Sequence, residues 1–361
     1  MTELAEATAW DAFVAGSDPG SYLQQSAWAR VKAVNGWAAH RLAGHAGDDG
    51  DRTVTDGRIG AQVLVRRPSP MPWGFAYAPR GPVADAWTPA TIQAFTRVVR
   101  SGLRDAAGRV SHVRIDPEIE ADGPLDPEGA LRRALRASEW RPAPAIQPSS
   151  TRIIDLRADE TALWGDLRKK WRQYVNKARS GGVTVVDGDG ERLPEFYRIY
   201  RETADRAGFL IRAESAYRDV WEAFRPSGDA RLLFAQLPDG EPVATLFLVR
   251  CGPRVVEPYG GMTGAGADTR ANYLLKWEAI RTSREQGATS YDLWGLATGG
   301  IEHFKTGFGG REVRYIGAWD LVLDPFGRQV YEGAQRARVR WARWRHGAGG
   351  ATGAAGFGGA D

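Results

Sequence analysis

Strand-like alternation and helix-like periodicity occur in the same order in both halves of the chain. In the first half, three strand-like runs, a helical run and a final strand-like run cover residues 36–44, 57–67, 73–83, 88–108 and 111–118. In the second half, the corresponding runs cover residues 230–240, 241–252, 255–264, 271–287 and 289–295. Each final run carries an aspartate, Asp116 or Asp292. A single duplication with a long period predicts two similar α/β domains with mixed sheets.

Helical periodicity also fills the region between the two repeats. The first helix is predicted over 164–179, where apolar residues recur at helical spacing until Gly181 and Gly182 end the run. A second helix is predicted from Pro194 to Gly208, and a third from Ser215. The predicted division is a first domain at 1–150, a second at 151–330, a basic helix at 331–346 and a disordered Gly/Ala tail at 347–361.

Composition narrows the class of protein. With 361 residues, 43% apolar and 25% charged, the chain predicts a globular protein of two domains. The single cysteine, Cys251, excludes an intrachain disulfide, and the scattered histidines offer no metal-ligand spacing. Neither an export signal nor a membrane-spanning run is recognisable. These features predict a cytoplasmic protein that holds no metal.

The positive charge is concentrated in two runs. Residues 168–179 and 334–345 are rich in arginine and lysine and contain no acidic residue, whereas the whole chain has a net charge of only +4. The rest of the chain is therefore acidic. Two basic runs on an acidic protein favour a polyanionic partner, either nucleic acid or an anionic membrane surface. A solvated helix face explains either run taken alone.

The segment Tyr291–Gly310 carries the strongest candidate chemistry. It is predicted to begin as a strand, to break at Gly295, to turn at Gly299–Gly300 and to continue as a short helix that contains Lys305. A lysine beside an aromatic residue in a glycine-flanked turn indicates an anion site. An ion pair with Glu302 on a solvated helix face is the simpler interpretation of Lys305 taken alone.

Acyl transfer from coenzyme A is not favoured by the sequence. The order of elements resembles the GNAT acetyltransferase core, in which a Q/R-x-x-G-x-G/A loop between strand and helix binds the pyrophosphate. Two strings match that loop, 41–46 and 225–230, but neither lies between a strand and a helix. Nucleotide-binding and hydrolase motifs are also lacking from the sequence. Coenzyme A is therefore not expected to be the acyl carrier.

Several longer segments resemble the FemABX family of peptidoglycan bridge-peptide aminoacyltransferases. They are LQQSAWARVKAVNGW, RKKWRQYVNKARSGGVTV, FYRIYRETADRAGFLIRAESAY, NYLLKWEAI, YDLWGL, HFKTGFGG and YIGAWDLVLDP, and the match as a whole runs from about residue 21 to residue 325. The resemblance implies tandem GNAT-like domains that move glycine, alanine or serine from aminoacyl-tRNA to a side-chain amine of the stem peptide. The acceptor would be UDP-MurNAc-pentapeptide or lipid II, and no cofactor would be needed.

The resemblance also implies roles for residues that bind the precursor. Lys32 and Arg212 match positions that hold its diphosphate, for which fixed cations are suited. Without the resemblance, Lys32 would be interpreted as an exposed helix lysine. Tyr217 and Tyr259 match rings that line the precursor site, although core packing also accounts for Tyr217. Asp116 matches an acidic residue that orients or deprotonates the incoming ammonium, with a turn or cap role as the alternative.

For the acyl donor, the resemblance implies that Lys305 stabilises charge on the transferred ester. Phe304 would stack on the terminal adenine, with core filling as the alternative. The tRNA backbone would be contacted by the basic residues at the start of the first run, which are Arg168, Lys169, Lys170 and Arg172. No strong general base is evident, so positioning of an activated ester would carry much of the reaction.

Two features depart from the family pattern. Some members insert a long helical arm in the second domain, but too few residues separate Gly182 from Arg231 for such an arm. The arginine- and tryptophan-rich run with Trp341 and Trp344 lies beyond the matched segments and suits tRNA, an anionic inner membrane leaflet or a solvated helix. The alternatives to the main prediction are a transferase for a small molecule or a protein N-terminus, and a non-catalytic binding module.

Overall fold

The duplicated order of strands and helices folds into two separate sheets. The computed structural model describes residues 2–46, 57–67, 69, 71–106, 109–296 and 300–345. These residues form two compact units, one made of residues 2–149 and 314–345 and the other of residues 150–313. The predicted α/β class with mixed sheets is confirmed.

The first unit contains one mixed sheet covered by helices. Its elements are α1 Thr2–Gly16, α2 Ser26–Ala33, β1 Ala38–His45, β2 Arg58–Arg66, β3 Gly74–Ala78, β4 Val83–Ala84, α3 Pro89–Ala106, β5 Val110–Ile115, α4 Ala130–Ala137 and β6 Arg141–Ala143, with 3-10 turns at Tyr22–Gln24 and Pro127–Gly129. Strands are ordered β1-β2-β3-β5, and β4 pairs with β2. The pair β3–β5 is parallel because α3 crosses over between the two strands.

The second unit repeats this plan. Its elements are β7 Ser150–Asp155, α5 Glu160–Asp166, α6 Lys169–Ser180, β8 Thr184–Gly188, α7 Leu193–Ala207, α8 Glu214–Phe224, β9 Ala230–Gln236, β10 Pro242–Cys251, β11 Arg254–Met262, α9 Gly264–Asp268, α10 Ala271–Glu285, β12 Ser290–Asp292, α11 Gly300–Thr306 and β13 Arg311–Arg314, with 3-10 turns at Gly190–Arg192 and Arg225–Ser227. The strand order is β13-β7-β12-β11-β10-β9-β8. Here α10 makes the crossover, and β11 and β12 are parallel.

Local sequence signals account for several element ends. The Thr88 hydroxyl accepts the Thr91 N–H at 3.1 Å and so caps the start of α3. At the other end of a helix, α7 stops at Gly208, whose φ of +72° is the left-handed conformation that glycine adopts without strain. The predicted end of this helix at Gly208 is confirmed.

The predicted helix at 164–179 is instead two helices. The chain leaves the helical conformation at Leu167 and Arg168, whose ψ values are 138° and 140°. Leu167 is buried in the core of the second unit, and the Arg168 N–H donates to the Gly307 carbonyl at 2.9 Å. Burial of that side chain and a tertiary hydrogen bond therefore replace one turn of helix. Periodicity alone does not reveal such a break.

The predicted second domain at 151–330 is wrong at its C-terminal end. The chain returns to the first unit, where β14 Ala318–Val322 lies between β5 and β6, followed by α12 Pro325–Arg345. Trp319 is buried in the first core, and Arg114 donates to Asp320 at 2.7 and 2.8 Å. The helix predicted to begin at residue 331 begins at Pro325, because the Asp324 carboxylate accepts the Gly327 N–H at 2.9 Å.

Two other predictions concern extended segments. Between Gly182 and Arg231, the described chain contains β8, α7, α8 and short turns, so this region holds no long helical arm. The tail at 347–361 lies outside the described residues. Over the ranges that the structure describes, no helix combines the length and the apolar character needed to cross a bilayer.

Candidate active site

Lys305 projects from α11 toward the loop that follows β12. Its Nζ donates to the main-chain carbonyls of Trp294 and Gly295, the latter at 2.8 Å. An ammonium has three N–H donors, so one remains for a further acceptor. Within the described chain, Lys305 forms no ion pair with Glu302, and that simpler interpretation of the sequence is therefore wrong.

The loop that holds Lys305 has an unusual backbone. Trp294 and Gly295 have φ values of +49° and +56°, and a tryptophan rarely adopts this left-handed region. Asp292 stabilises the turn by accepting the Trp294 N–H at 2.8 Å, and it also accepts hydrogen bonds from Thr151 and Arg254. The strained turn directs two carbonyl oxygens toward one ammonium.

A buried ion pair lies near Lys305. Lys276 on α10 is 2% exposed and donates to Glu257 on β11, whose other oxygen accepts the Tyr291 hydroxyl at 2.7 Å. Burial and, to a smaller extent, the Lys276 ammonium lower the pKa of Lys305 to about 8, against the opposing effect of the Glu257 and Asp292 carboxylates. Lys305 is thus a cation that releases a proton near neutral pH.

Phe304 belongs to an aromatic cluster on the same face of the second unit. Its ring centroid lies 5.0 Å from Tyr273 and 5.2 Å from Phe308. The Lys276 Nζ lies 5.4 Å from the same ring. Phe304 is only half-buried, so part of the ring contributes to the core and part is accessible. The predicted stacking on adenine stays a prediction.

The structure brings Arg212, Tyr217 and Tyr259 together. The Tyr217 and Tyr259 rings are 5.0 Å apart at an angle of 85°, and the Arg212 N–H donates to the Tyr217 hydroxyl at 3.2 Å. Burial raises the pKa of Tyr259, while the positive charge of Arg212 lowers it. Glu257 and Tyr259 are two residues apart on β11, so this tyrosine cluster and the Lys276 ion pair adjoin along one strand.

Asp116 occupies a polar cluster in the first unit. One carboxylate oxygen accepts the Tyr77 hydroxyl at 2.7 Å, and the other accepts the Arg80 N–H at 2.6 Å. The Arg80 Nε lies 3.2 Å from Glu118, and both side chains are 2% exposed. Burial raises the pKa of Asp116 to about 6, although the Arg80 guanidinium and the Tyr77 hydroxyl oppose the shift. The carboxylate lines a small cavity beside Gln147.

Lys32 is buried in the last turn of α2. The side chain is 5% exposed, and its Nζ lies 6.0 Å from the Trp28 ring and 5.7 Å from the Trp37 ring. Indole faces stabilise a cation at this separation. The alternative of an exposed helix lysine is therefore wrong, and the structure shows a cation fixed between two aromatic residues.

The four predicted tRNA-binding residues divide into two groups. Lys169 and Lys170 are exposed at the start of α6. Arg172 instead donates to the Gly165 and Leu167 carbonyls at 2.6 and 2.8 Å, which satisfies the end of α5. Arg168 is exposed and donates to Thr306 on α11 at 3.2 Å. Arg172 therefore has a structural partner that the sequence did not indicate.

Sequence reasoning did not identify Glu257, Lys276 or the Arg80–Glu118 pair as parts of these clusters. A signal was available for the first two. Glu257 interrupts the apolar strand VVEPYGG, and Lys276 lies beside Leu275 and Trp277 in an apolar stretch of helix. A charged residue on the otherwise apolar face of a strand or helix predicts a buried ion pair. Its partner, however, is decided by the tertiary fold.

Among the described residues, no group of three or more His, Cys, Asp or Glu side chains is arranged to hold a metal ion.

Two protein-family models match this chain, one in each half. The model of the FemAB family matches residues 5–123, and the model of the acetyltransferase (GNAT) domain matches residues 165–306. Lipid II:glycine glycyltransferase of Staphylococcus saprophyticus is 23% identical over 93% of this chain and 97% of its own length. These matches support a protein of the FemABX family.

Two further comparisons define the extent of the FemABX likeness. Lipid II:glycine glycyltransferase of Staphylococcus aureus (strain MRSA252) is 29% identical over 65% of this chain, and the match spans about half of that relative, 54%. The crystal structure of FemX has a TM-score of 0.78 at 22% identity and covers 90% of this chain and 97% of its own. The predicted tandem GNAT-like fold and the predicted enzyme class, an aminoacyltransferase, are confirmed.

A lipid-synthetase domain shares the fold more distantly. The C-terminal domain of a putative lysylphosphatidylglycerol synthetase from Agrobacterium fabrum has a TM-score of 0.54 at 14% identity, with 93% of this chain and 96% of that domain covered. At this identity the likeness concerns the fold alone.

Proposed function

We propose that this chain transfers glycine, alanine or serine from aminoacyl-tRNA to a side-chain amine of the peptidoglycan stem peptide. The acceptor is a precursor linked to a nucleotide or to a lipid, and the lipid-linked form brings the protein to the inner membrane leaflet. The curated relatives named lipid II:glycine glycyltransferase support the acceptor class. The observation that carries the proposal is the half-buried Lys305 ammonium, held by two carbonyls with one N–H donor remaining.

In the proposed reaction, the acceptor amine attacks the ester carbonyl of the aminoacyl-tRNA. The new N–C bond creates a tetrahedral oxyanion, whose collapse breaks the C–O bond to the ribose. The ribose oxygen must gain a proton and the amine must lose one. Neither coenzyme A nor a metal cofactor takes part, because the ester is already activated.

Lys305 is suited to two parts of this reaction. Its remaining N–H donor stabilises the oxyanion, an interaction whose loss costs about 10²–10³ in kcat in other acyl transfers. Its pKa of about 8 also lets the ammonium protonate the departing ribose oxygen near neutral pH. Phe304, whose ring is partly accessible, is proposed to stack on the terminal adenine of the donor.

The remaining predicted residues are assigned to the acceptor. The fixed cation Lys32 and the Arg212–Tyr217–Tyr259 cluster are proposed to bind the diphosphate and the body of the precursor. Asp116, with a pKa of about 6, is a suitable base for the acceptor ammonium near neutral pH.

A transfer assay tests the proposal directly. The protein is incubated with labelled glycyl-, alanyl- or seryl-tRNA and with either UDP-MurNAc-pentapeptide or lipid II, and the label on the precursor is measured. We expect one of the three amino acids to be transferred, and we expect uncharged tRNA with the free amino acid to give no product. Absence of label on both acceptors with all three donors would reject the proposed function.

A further inference from the structure

We propose that α12 and the adjacent Trp73 form a surface that binds an anionic phospholipid bilayer. The inference deepens the proposed function, because it names the surface for the membrane contact that a lipid-linked acceptor requires. It concerns only the first unit.

One face of α12 is already used for packing. The Tyr331 ring lies 5.2 Å from Phe75 and 4.9 Å from His112, both on the sheet of this unit. Arg328 forms an ion pair with Asp320 at 2.7 Å. These contacts fix the rotation of the helix and leave other residues of α12 directed away from the sheet.

An apolar stripe follows a different face of the same helix. Phe326 is 64% exposed, Val330 is half-buried, and Ala334 and Ala337 are exposed. These residues are spaced four, four and three apart, which places them on one side of a helix. The same spacing continues along the sequence to Trp341 and Trp344, and the helical backbone extends to Arg345.

Trp73 extends this stripe at the start of α12. Its ring centroid lies 5.5 Å from Phe326, and its indole N–H donates to the Asp324 carboxylate at 2.7 Å. Gly327 permits the close approach, because a Cβ at that position would lie 2.5 Å from the indole. Tryptophan combines an apolar ring with a polar N–H, and it is enriched at membrane–water interfaces.

The charge of α12 complements an anionic surface. Between Pro325 and Arg345 the sequence holds six arginines and a single glutamate, Glu332. Arg328 is paired with both Asp320 and Glu332. Arg336 is exposed, and the Arg109 guanidinium lies 6.0 Å from the Trp73 ring. Each basic residue near an anionic leaflet contributes about 1 kcal/mol to binding.

A bilayer fits this surface better than RNA does. Phosphate recognition explains the arginines but gives no role to a stripe of exposed apolar residues. A helix of 21 residues with interspersed arginines is unsuited to crossing a membrane, and it matches the pattern of helices that lie in the interface plane. The apolar stripe would enter the headgroup region while the arginines contact lipid phosphates.

Vesicle binding of the full chain tests this inference. Co-sedimentation is measured with vesicles of equal parts phosphatidylglycerol and phosphatidylcholine, and with vesicles of phosphatidylcholine alone. We expect binding to the anionic vesicles that weakens with salt. Phe326→Asp should weaken binding about tenfold, and Arg336→Gln, which removes one positive charge, should weaken it about fivefold. Val34→Asp is the matched control, since Val34 of the same unit is 69% exposed and lies outside α12.

Several outcomes would overturn the inference. They are no binding of the wild type to anionic vesicles, equal losses for Val34→Asp and Phe326→Asp, or a loss of tRNA binding in the α12 variants with vesicle binding unchanged. Hydrogen exchange on the wild-type protein gives a measurement that needs no variant, because bound vesicles should protect residues 325–345.

The transfer assay separates this inference from the proposed function. Phe326→Asp should retain wild-type transfer to UDP-MurNAc-pentapeptide without vesicles. Vesicle binding without transfer would reject only the proposed function, whereas transfer without vesicle binding would reject only the membrane surface.

Discussion

Each unit buries ionised groups around the strand that follows its crossover helix, but the two clusters differ in how their cations are held. In the first unit, Arg80 is buried against Glu118, and both Asp116 oxygens accept hydrogen bonds. In the second unit, Lys276 is paired with Glu257, but Lys305 is held by carbonyl oxygens and, within the described residues, by no carboxylate.

This difference separates a structural cation from a reactive one. A cation paired with a buried carboxylate is already neutralised, so a substrate gains little from it. Lys305 retains its charge, one N–H donor and partial exposure, and a developing negative charge can therefore bind to it. The duplication supplied the same scaffold twice, and α11 adds the feature that makes the second copy reactive.

The largest expected effect comes from breaking the buried pair of the second unit. Lys276→Met leaves Glu257 without its ammonium, which should lower the free energy of unfolding by about 3–5 kcal/mol. Urea unfolding measures the loss. The double variant Lys276→Met/Glu257→Gln should recover much of it, because no buried charge is then unpaired. If the double variant is no more stable than the single one, packing and not charge explains the loss.

Next in size is the effect of removing the reactive cation. Lys305→Ala should lower kcat about 10²–10³-fold, because the oxyanion loses a donor. Precursor affinity, measured by calorimetry, should stay near the wild-type value. Lys177→Ala removes an exposed lysine of the same unit and should leave transfer unchanged. Equal losses of transfer and precursor binding in Lys305→Ala would contradict the assigned role.

A substitution in the Asp116 cluster should mainly lower the free energy of unfolding. Asp116→Asn replaces an acceptor of the Arg80 N–H and Tyr77 hydroxyl with a group that also donates, at a cost of about 1–3 kcal/mol. Thermal or urea unfolding at pH 7 measures this cost. If the variant keeps wild-type transfer despite the lower stability, Asp116 is a structural residue and not the base.

The pH dependence of transfer sharpens the comparison. The pKa of Lys305 is lowered to about 8, so the ammonium is lost as pH rises through that value, and transfer should decline above pH 8. The Lys276 charge lowers this pKa, so Lys276→Met should move the decline to higher pH. Arg80→Met, which alters the cluster of the first unit, should leave it unmoved. Initial rates, corrected for spontaneous ester hydrolysis, provide the measurement.

The smallest expected effect concerns the exposed basic residues. Arg168→Ala should weaken tRNA binding and reduce the slope of log affinity against log salt by about 1, if this side chain contacts one phosphate. Arg179→Ala removes another exposed arginine of the same run, one paired with Glu278, and serves as the comparison. An unchanged salt slope in Arg168→Ala would exclude that residue from the RNA contact.

The sequence predicted the repeated order of elements because strand alternation, helical periodicity and the glycine stops are local properties. The Gly208 stop depends on neighbouring residues and was predicted for that reason. Lys305 was identified through its family motif and its glycine-flanked turn. The simpler interpretation, an ion pair with Glu302, was wrong because the Trp294–Gly295 turn offers carbonyls instead.

Contacts between residues far apart in the chain were decided only by the tertiary structure. The break at Leu167 arises from core burial and from the Gly307 carbonyl. The return of β14 to the first sheet places Asp320 beside Arg114, more than 200 residues earlier. The buried partners of Lys276 and Arg80 likewise depend on which strands become neighbours. By itself, the sequence determined the elements and the fold family, whereas the protonation of Lys305 depends on charges that only the folded chain brings close.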